Sequence, residues 1–559
     1  MSRNRYVVSV AKQITFAASF IFVLNTAFAQ SSMGGVESDE AAKPEITAGA
    51  KDGVIALPSR HIRLTIWDLM DRTDQHNELV SKREHLLMNG IAPFEIVSPI
   101  IDAMDTISGN GIILIRKGPL PHSRIAKGSD FKIMPGNPHR IAILPSVYPC
   151  QKIEYSGGAI GRQKALMKAQ RRWREYKSGR DGLFLSNTWG DRARDSHLNE
   201  SFMLEEIRLA EETGIEVVQI DDGWQRGRTS NSAASGGKGV WNGYWAADPK
   251  FWQPDEERFP NGLKPLVDAA KKRGIRIGLW FGPDSSNDAA NWERDADLLL
   301  GYWRDYGISY FKIDSMKSTS HKAIANQRAL FDKLIKTSNG EITCDLDVTA
   351  EIRPGYYGLS DVGPVFVENR YTDWVKYWPH QTLRNLWSLC EVVDPVRLRM
   401  EVLNVERNKA KYKDDPLAPA NWKMDAVFAS VMIASPLGWF EMSGLSRNAR
   451  EDLKKIVPVW KKERDNIYNG TVYPVMSKPD GVSWTGFLVC ADNSKNGYIL
   501  AFREANECEN CDLDIAGFFD GSCRQIEVLA GDGTAKCENN TAKITVNNKF
   551  GYIFAKVHQ

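Results

Sequence analysis

Three groups of residues have the types and spacing for acid, base or nucleophilic chemistry. Asp221 and Asp222 are adjacent at the end of an apolar run, VVQIDDGWQ. Both can be buried only if hydrogen-bond donors satisfy them. Paired sugar hydroxyls are donors of that kind, and a solvated Asp-Asp-Gly turn is the plainer reading. Lys312 and Asp314 alternate by two in YFKIDSMK, so they point to one side of a strand. A cation there keeps Asp314 ionised, as a carboxylate nucleophile requires, although a structural ion pair has the same pattern. Asp361 and Glu368 lie in YYGLSDVGPVFVEN, and each is a candidate proton donor.

These residues belong to a region in which strands alternate with helices. From 182 onward the runs GLFLSNTW, GIEVVQIDD, IRIGLWF, ISYFKID, EITCDLD, PVFVEN, RMEVLN and PLGWFE read as eight strands, with helical pattern in most gaps. In the helix NESFMLEEIRLAEET, Met203, Ile207 and Ala210 share a face. Eight βα repeats over about 260 residues is the length of a (β/α)8 TIM barrel, an α/β fold whose working residues stand at the C-terminal strand ends. No Gly-rich phosphate loop follows any strand, which disfavours a doubly wound sheet. Here those ends carry Trp189, Asp221, Asp222, Trp224, Trp280, Lys312, Asp314 and Glu368.

The rest of the chain has other textures. Residues 1–29 combine a basic start, an apolar stretch and an Ala-Phe-Ala ending, the features of a cleaved secretory signal, so a secreted or periplasmic protein is expected. A polar, disordered leader is expected over 30–52. Short β-like runs separated by Gly, Pro, Asn and Asp predict an N-terminal β domain that, with a linking helix, spans 53–180. The barrel domain is expected over 181–455 and a C-terminal β-sandwich over 465–559. Of the eight cysteines, Cys490, Cys508, Cys511, Cys523 and Cys537 cluster near the C-terminus. In an oxidising compartment they favour one or two disulfides over a zinc site.

Composition excludes several classes. The formal net charge of +2 gives no reason to expect nucleic acid or an anionic membrane as partner, and the apolar run is too short for membrane insertion. The nine histidines are scattered without a His-x-His pair, so neither a catalytic metal nor another cofactor is expected. Seventeen tryptophans suit a carbohydrate partner, although large cores also use them. Oligomeric state is not encoded in any of these patterns.

Five runs, taken in order, resemble one family. VVQIDDGWQ, RIGLWFGP and YFKIDSMK are similar to signatures of melibiase-type α-galactosidases, glycoside hydrolase families 36 and 27. SNTWGD resembles their first-strand Asn-x-Trp, and PLGWFEMSGLS their last-strand region. The resemblance covers roughly 180–445. It implies a retaining exo-α-galactosidase with Asp314 as nucleophile, Asp221 and Asp222 holding the 4- and 6-hydroxyls, and Lys312 on nearby ring hydroxyls. It further implies Trp224 and Trp280 as pocket walls, with Arg353 and Cys344 as binding residues.

The family's proton donor is an Asp at the end of strand six, between Ser and Asn. Asp361 has the Ser and Glu368 the Asn. Glu368 is preferred because PVFVEN is an extended run ending in the carboxylate, and a strand ending at Asp361 would give the barrel one strand too many. Phe281-Gly282-Pro283-Asp284 departs from the family, which usually has Glu after the Phe, so a divergent member is expected. Related α-N-acetylgalactosaminides and β-L-arabinopyranosides stay open as substrates, as does a non-catalytic sugar-binding role.

Overall fold

The structure of the chain, a computed structural model, describes residues 53–71, 78–88, 90–191, 193–349, 352–369, 378–491, 496–519 and 521–559. The expected signal and leader over 1–52 lie outside the described residues.

Eight strands close into a parallel barrel in chain order: Leu185–Asn187, Val217–Ile220, Arg276–Phe281, Tyr310–Ile313, Thr343–Asp347, Val365–Phe366, Leu398–Val402 and Ser435–Gly438. Each overlaps one of the eight sequence runs that alternate with helices, the last two starting one residue before their runs. The first helix, Glu200–Thr213, packs Met203, Ile207 and Ala210 against the barrel and is capped by the Asn199 side chain, which accepts from the Phe202 N–H at 2.9 Å. Gly214 ends it in the left-handed region at φ 77°.

The barrel interior is polar, and this decides what the strand ends can do. Successive inward positions are Asn187 and Gln219, then Lys312, Asp345 and Arg399. Asn187 Nδ2 donates to Gln219 Oε1 at 2.8 Å and to Asp221 Oδ2 at 2.7 Å. Arg399 Nη2 donates to Asp345 Oδ1 at 2.8 Å, with both side chains nearly inaccessible. Buried polar groups satisfied in this way lock one another's rotamers, so the layer below the strand ends is rigid.

Ahead of the barrel, a five-stranded antiparallel sheet faces a four-stranded one. Ile62, Leu64, Ile66, Ile101 and Leu114 of the larger sheet form a core with Ile133 and Ile141 of the smaller. Its opposite face, with Trp67, Ile100, Ile113 and Ile115, joins the hydrophobic core of the barrel. Burial on both faces explains the unbroken apolar run GIILIR in its strand Gly111–Arg116. After the helix Arg447–Asn469, a five-stranded and a three-stranded antiparallel sheet pack around Leu488, Ile499, Ile544 and Ile553. No helix among the described residues is long and apolar enough to cross a membrane.

Candidate active site

A pocket with an empty volume of about 570 Å³ opens at the C-terminal ends of the strands, lined by Trp189, Asp221, Asp222, Trp280, Lys312, Asp314 and Arg353. Those seven are sequence-predicted site residues. Asn231, Trp241, Asp347, Thr349 and Asn369 complete the lining.

Asp314 follows strand four, whose pleat turns Lys312 and Asp314 inward while Phe311 and Ile313 pack outward. Its Oδ1 accepts from the Ser315 N–H at 2.6 Å and from Arg353 Nη2 at 3.2 Å, and its Oδ2 from the Trp280 indole at 3.2 Å. Ser315 adopts φ 50°, in the left-handed region, and its hydroxyl shares a 2.8 Å hydrogen bond with Tyr244. Strain of this kind persists only where the surroundings impose it. Burial works to raise the Asp314 pKa, but Arg353, Lys312 and the donated hydrogen bonds outweigh it. The carboxyl lies below its ordinary range, the state a nucleophile needs.

Asp221 and Asp222 are both buried and both satisfied. Asp221 Oδ2 accepts from Asn187 and, at 3.0 Å, from Lys312 Nζ, while Oδ1 accepts from the Asp222 N–H at 2.8 Å. Asp222 accepts from Gln225 Nε2 at 2.7 Å and from the Thr229 hydroxyl. Burial pushes its carboxyl up to about 7, against the pull of those two donors. Gly223 makes the turn possible: its φ is 114°, and a Cβ there would stand 2.3 Å from Asp195 Cβ. The Asp-Asp-Gly turn is therefore a pocket wall and not a solvated bend.

Strand five supplies a carboxyl that the sequence reading passed over. Strands four and five pair Lys312 with Asp345 and Ile313 with Leu346, so the next step of the register sets Asp314 beside Asp347. Asp347 Oδ1 accepts from the N–H and hydroxyl of Thr349 at 2.9 and 2.8 Å. Burial and the neighbouring Asp314 push its carboxyl up to about 6, against Arg353 and Lys312. The signal in the sequence was the alternation Asp345-x-Asp347, the same pattern that marked strand four.

Four predicted residues are placed elsewhere. Trp224 is buried behind Trp280, donating its indole N–H to the Trp280 carbonyl at 2.8 Å and packing on Trp252 and Tyr302, so it supports the wall without lining it. Trp241, from the loop after strand two, stands beside Trp280 with ring centroids 6.1 Å apart and supplies the second indole face. Asp284, where the family usually has Glu, anchors that loop by accepting from the Gly243 N–H at 3.0 Å. Cys344 alternates with Asp345 and Asp347, which turns it out of the barrel into the surrounding core, where burial pushes its thiol up.

The candidate proton donors also lie off the pocket lining. Glu368 is fully buried, its Oε2 accepting from Thr382 Oγ1 and its Oε1 from Asn385 Nδ2, each at 2.8 Å; the adjacent Asn369 reaches the pocket instead. Asp361 is at the opposite end of the barrel. It forms a two-pronged ion pair with Arg328 at 2.7 and 2.8 Å, and its carbonyl accepts from Arg174, which also reaches Thr343 at the start of strand five. The segment after Arg353 therefore descends to the strand starts before strand six begins, and does not cross the pocket.

Among the described residues no group of three His, Cys, Asp or Glu is placed to hold a metal ion. The fold and this pocket define a TIM-barrel protein whose strand ends gather carboxylates, a lysine, an arginine and indoles around one small cavity. Residues 163–301 match the Melibiase family model. An α-galactosidase of Escherichia coli is 32% identical over 101 residues, which are 18% of this chain and 11% of that protein. A probable α-galactosidase of Emericella nidulans is 27% identical over 164 residues, 27% of this chain and 20% of the relative.

The chain thus aligns with a fifth or less of the length of these curated relatives. Solved structures match over far more. A Geobacillus stearothermophilus family 36 α-galactosidase variant in complex with 1-deoxygalactonojirimycin superposes with a TM-score of 0.66 at 14% identity, covering 90% of this chain and 76% of that one. A Lactobacillus brevis α-galactosidase gives 0.65 at 12% identity, over 90% and 75% of the two chains. The shared fold is that of the family 36 enzymes.

Proposed function

We propose that the chain is an exo-α-galactosidase that cleaves terminal α-galactosides through a covalent galactosyl intermediate on Asp314. The convergence of Asp221, Asp222, Lys312, Asp314 and Arg353 in one indole-walled pocket supports this most. Relatives of the barrel are named α-galactosidases, and solved Geobacillus stearothermophilus neighbours hold raffinose and stachyose.

In this reading the ring lies against Trp280 and Trp241. Asp221 and Asp222, each with lone pairs beyond those already engaged, accept from the 4- and 6-hydroxyls. Asp314, held ionised by Arg353 and Lys312, attacks the anomeric carbon, and a second, protonated carboxyl assists the leaving oxygen. The two carboxyls of a retaining enzyme stand about 5–5.5 Å apart. The test is hydrolysis of a chromogenic aryl α-galactoside beside the matching α-N-acetylgalactosaminide and β-L-arabinopyranoside, with the product anomer followed by NMR. Turnover of the galactoside with release of α-galactose supports the reading; turnover of none of the three sinks it.

We also propose export. The segment 1–29 has the three parts of a signal, and N-terminal sequencing of the mature protein should begin near Gln30.

A further inference from the structure

We propose that Asp347, at the end of strand five, is the catalytic proton donor and acceptor that works with Asp314; this rests on the galactosidase reading above. Among the described residues four carboxyls line the pocket, and three have both oxygens engaged by protein donors: Asp221, Asp222 and Asp314. In Asp347 only Oδ1 is held, by Thr349. Among the described residues none donates to Oδ2, yet that atom is absent from the buried oxygens left unsatisfied, so it faces the open pocket.

The position is also right. The register pairs Ile313 with Leu346, so Asp314 and Asp347 follow one step on along neighbouring strands, which lie about 4.8 Å apart, and the Asp314 charge acts on Asp347. That spacing approaches the roughly 5–5.5 Å between the carboxyls of retaining glycosidases. Around the barrel the order is Asp221 and Asp222 on strand two, Trp280 on strand three, Asp314 on strand four and Asp347 on strand five. A sugar held at strand two with its anomeric carbon at strand four directs its leaving group toward strand five. The two environments also separate the pair: cations hold Asp314 ionised, while burial and the Asp314 charge favour a proton on Asp347.

The steps balance. The Asp347 Oδ2 proton passes to the glycosidic oxygen as its bond to the anomeric carbon breaks and the electron pair leaves with that oxygen. A carboxylate oxygen of Asp314 forms the new bond. In the second half, Asp347 takes a proton from water, the water oxygen bonds the anomeric carbon, and Asp314 departs with its electron pair.

The experiment is a leaving-group series of aryl α-galactosides on the full-length protein, with Asp347→Ala, Asp347→Asn and Glu368→Ala. For Asp347→Ala, turnover of poor leaving groups should fall about 10²–10⁴-fold, activated leaving groups should be largely spared, and azide should restore rate as α-galactosyl azide. If Asp347→Ala does not fold, Asp347→Asn keeps the shape and carries the same expectation. Uniform loss across the series without azide rescue makes Asp347 a binding group only and overturns the proposal. The same follows if Glu368→Ala shows the rescue pattern instead. An inactive wild-type protein rejects the galactosidase reading itself, which separates the two failures.

Discussion

Asp314 and Asp347 stand side by side in the register of strands four and five, yet their surroundings move their acidities in opposite directions. Arg353 and Lys312 overcome burial at Asp314, whereas at Asp347 burial and the Asp314 charge prevail. A pair so divided carries one proton over a wide pH range. Activity then requires Asp314 ionised and its neighbour protonated, so kcat/KM should be bell-shaped with an acidic optimum. The basic limb should fall near pH 6, and the acid limb below the ordinary aspartate range. A pH–rate profile of the wild type and of Asp347→Asn checks this. Persistence of the same basic limb in the variant assigns that limb to another group.

Asp314→Asn preserves shape and removes the nucleophile. Turnover should drop on the order of 10⁴-fold or more, as when other covalent nucleophiles are lost. Its three donors, Ser315, Trp280 and Arg353, are fixed by their own contacts, so KM for a weakly turned-over galactoside should change little. Residual activity within tenfold of wild type removes Asp314 from the mechanism.

Asp222 offers a test independent of turnover. Its folded-state pKa is raised to about 7, so the native state holds a proton that the unfolded chain releases near the ordinary aspartate value. Stability contributed by that proton is complete at low pH and lost as pH rises through the interval up to about 7. Asp222→Asn keeps an acceptor for Gln225 and can donate to the Thr229 hydroxyl, without the charge. Its melting temperature relative to wild type should therefore rise between pH 4 and pH 7.5. A constant difference across that range contradicts the assignment.

Much of this architecture was legible from residue patterns. The eight strands showed because short β-like runs alternate with helical pattern, and Lys312 and Asp314 because the pleat fixes a period of two. The residues that were misplaced depended on what a linear pattern does not carry. Glu368 and Trp224 stand at strand ends like their neighbours, but Thr382, Asn385 and Trp252 come from distant segments and turn them into the core. Trp241 was hidden in a Ser- and Gly-rich loop whose path is set by the Asp284 contact to Gly243. Asp361 had the family's Ser before it, but the chain reverses there to the far end of the barrel.

Cys523 and Cys537 lie close enough that Cys537, together with burial, pushes the Cys523 thiol up to about 12. Cys537 is on the strand Gly533–Glu538, and Cys523 is tied to Asn540 through its N–H. In an oxidising compartment this pair should form a disulfide, closing a short loop worth about 3 kcal/mol in the unfolded chain. Thiol alkylation and mass mapping of the protein purified under oxidising conditions should find Cys523 and Cys537 linked and Cys344 and Cys390 reduced. Joint alkylation of Cys523 and Cys537 without prior reduction rules the bond out.

Lys312 ties the substrate-holding and nucleophilic carboxyls together. Its ammonium donates to Asp221 at 3.0 Å and lies over the Trp439 ring at 4.8 Å. Burial opposes its charge, but Asp221, Asp314 and Asp347 keep it protonated. Lys312→Met retains most of the stem and removes the cation. Breaking a buried pair from one side costs about 3–5 kcal/mol, so the melting temperature should fall clearly. Asp314 then loses one of the two cations that depress it, and the acid limb of kcat/KM should move to higher pH in the activity that remains. An acid limb that stays in place, despite the loss of stability, would leave Arg353 as the group that sets the Asp314 charge state.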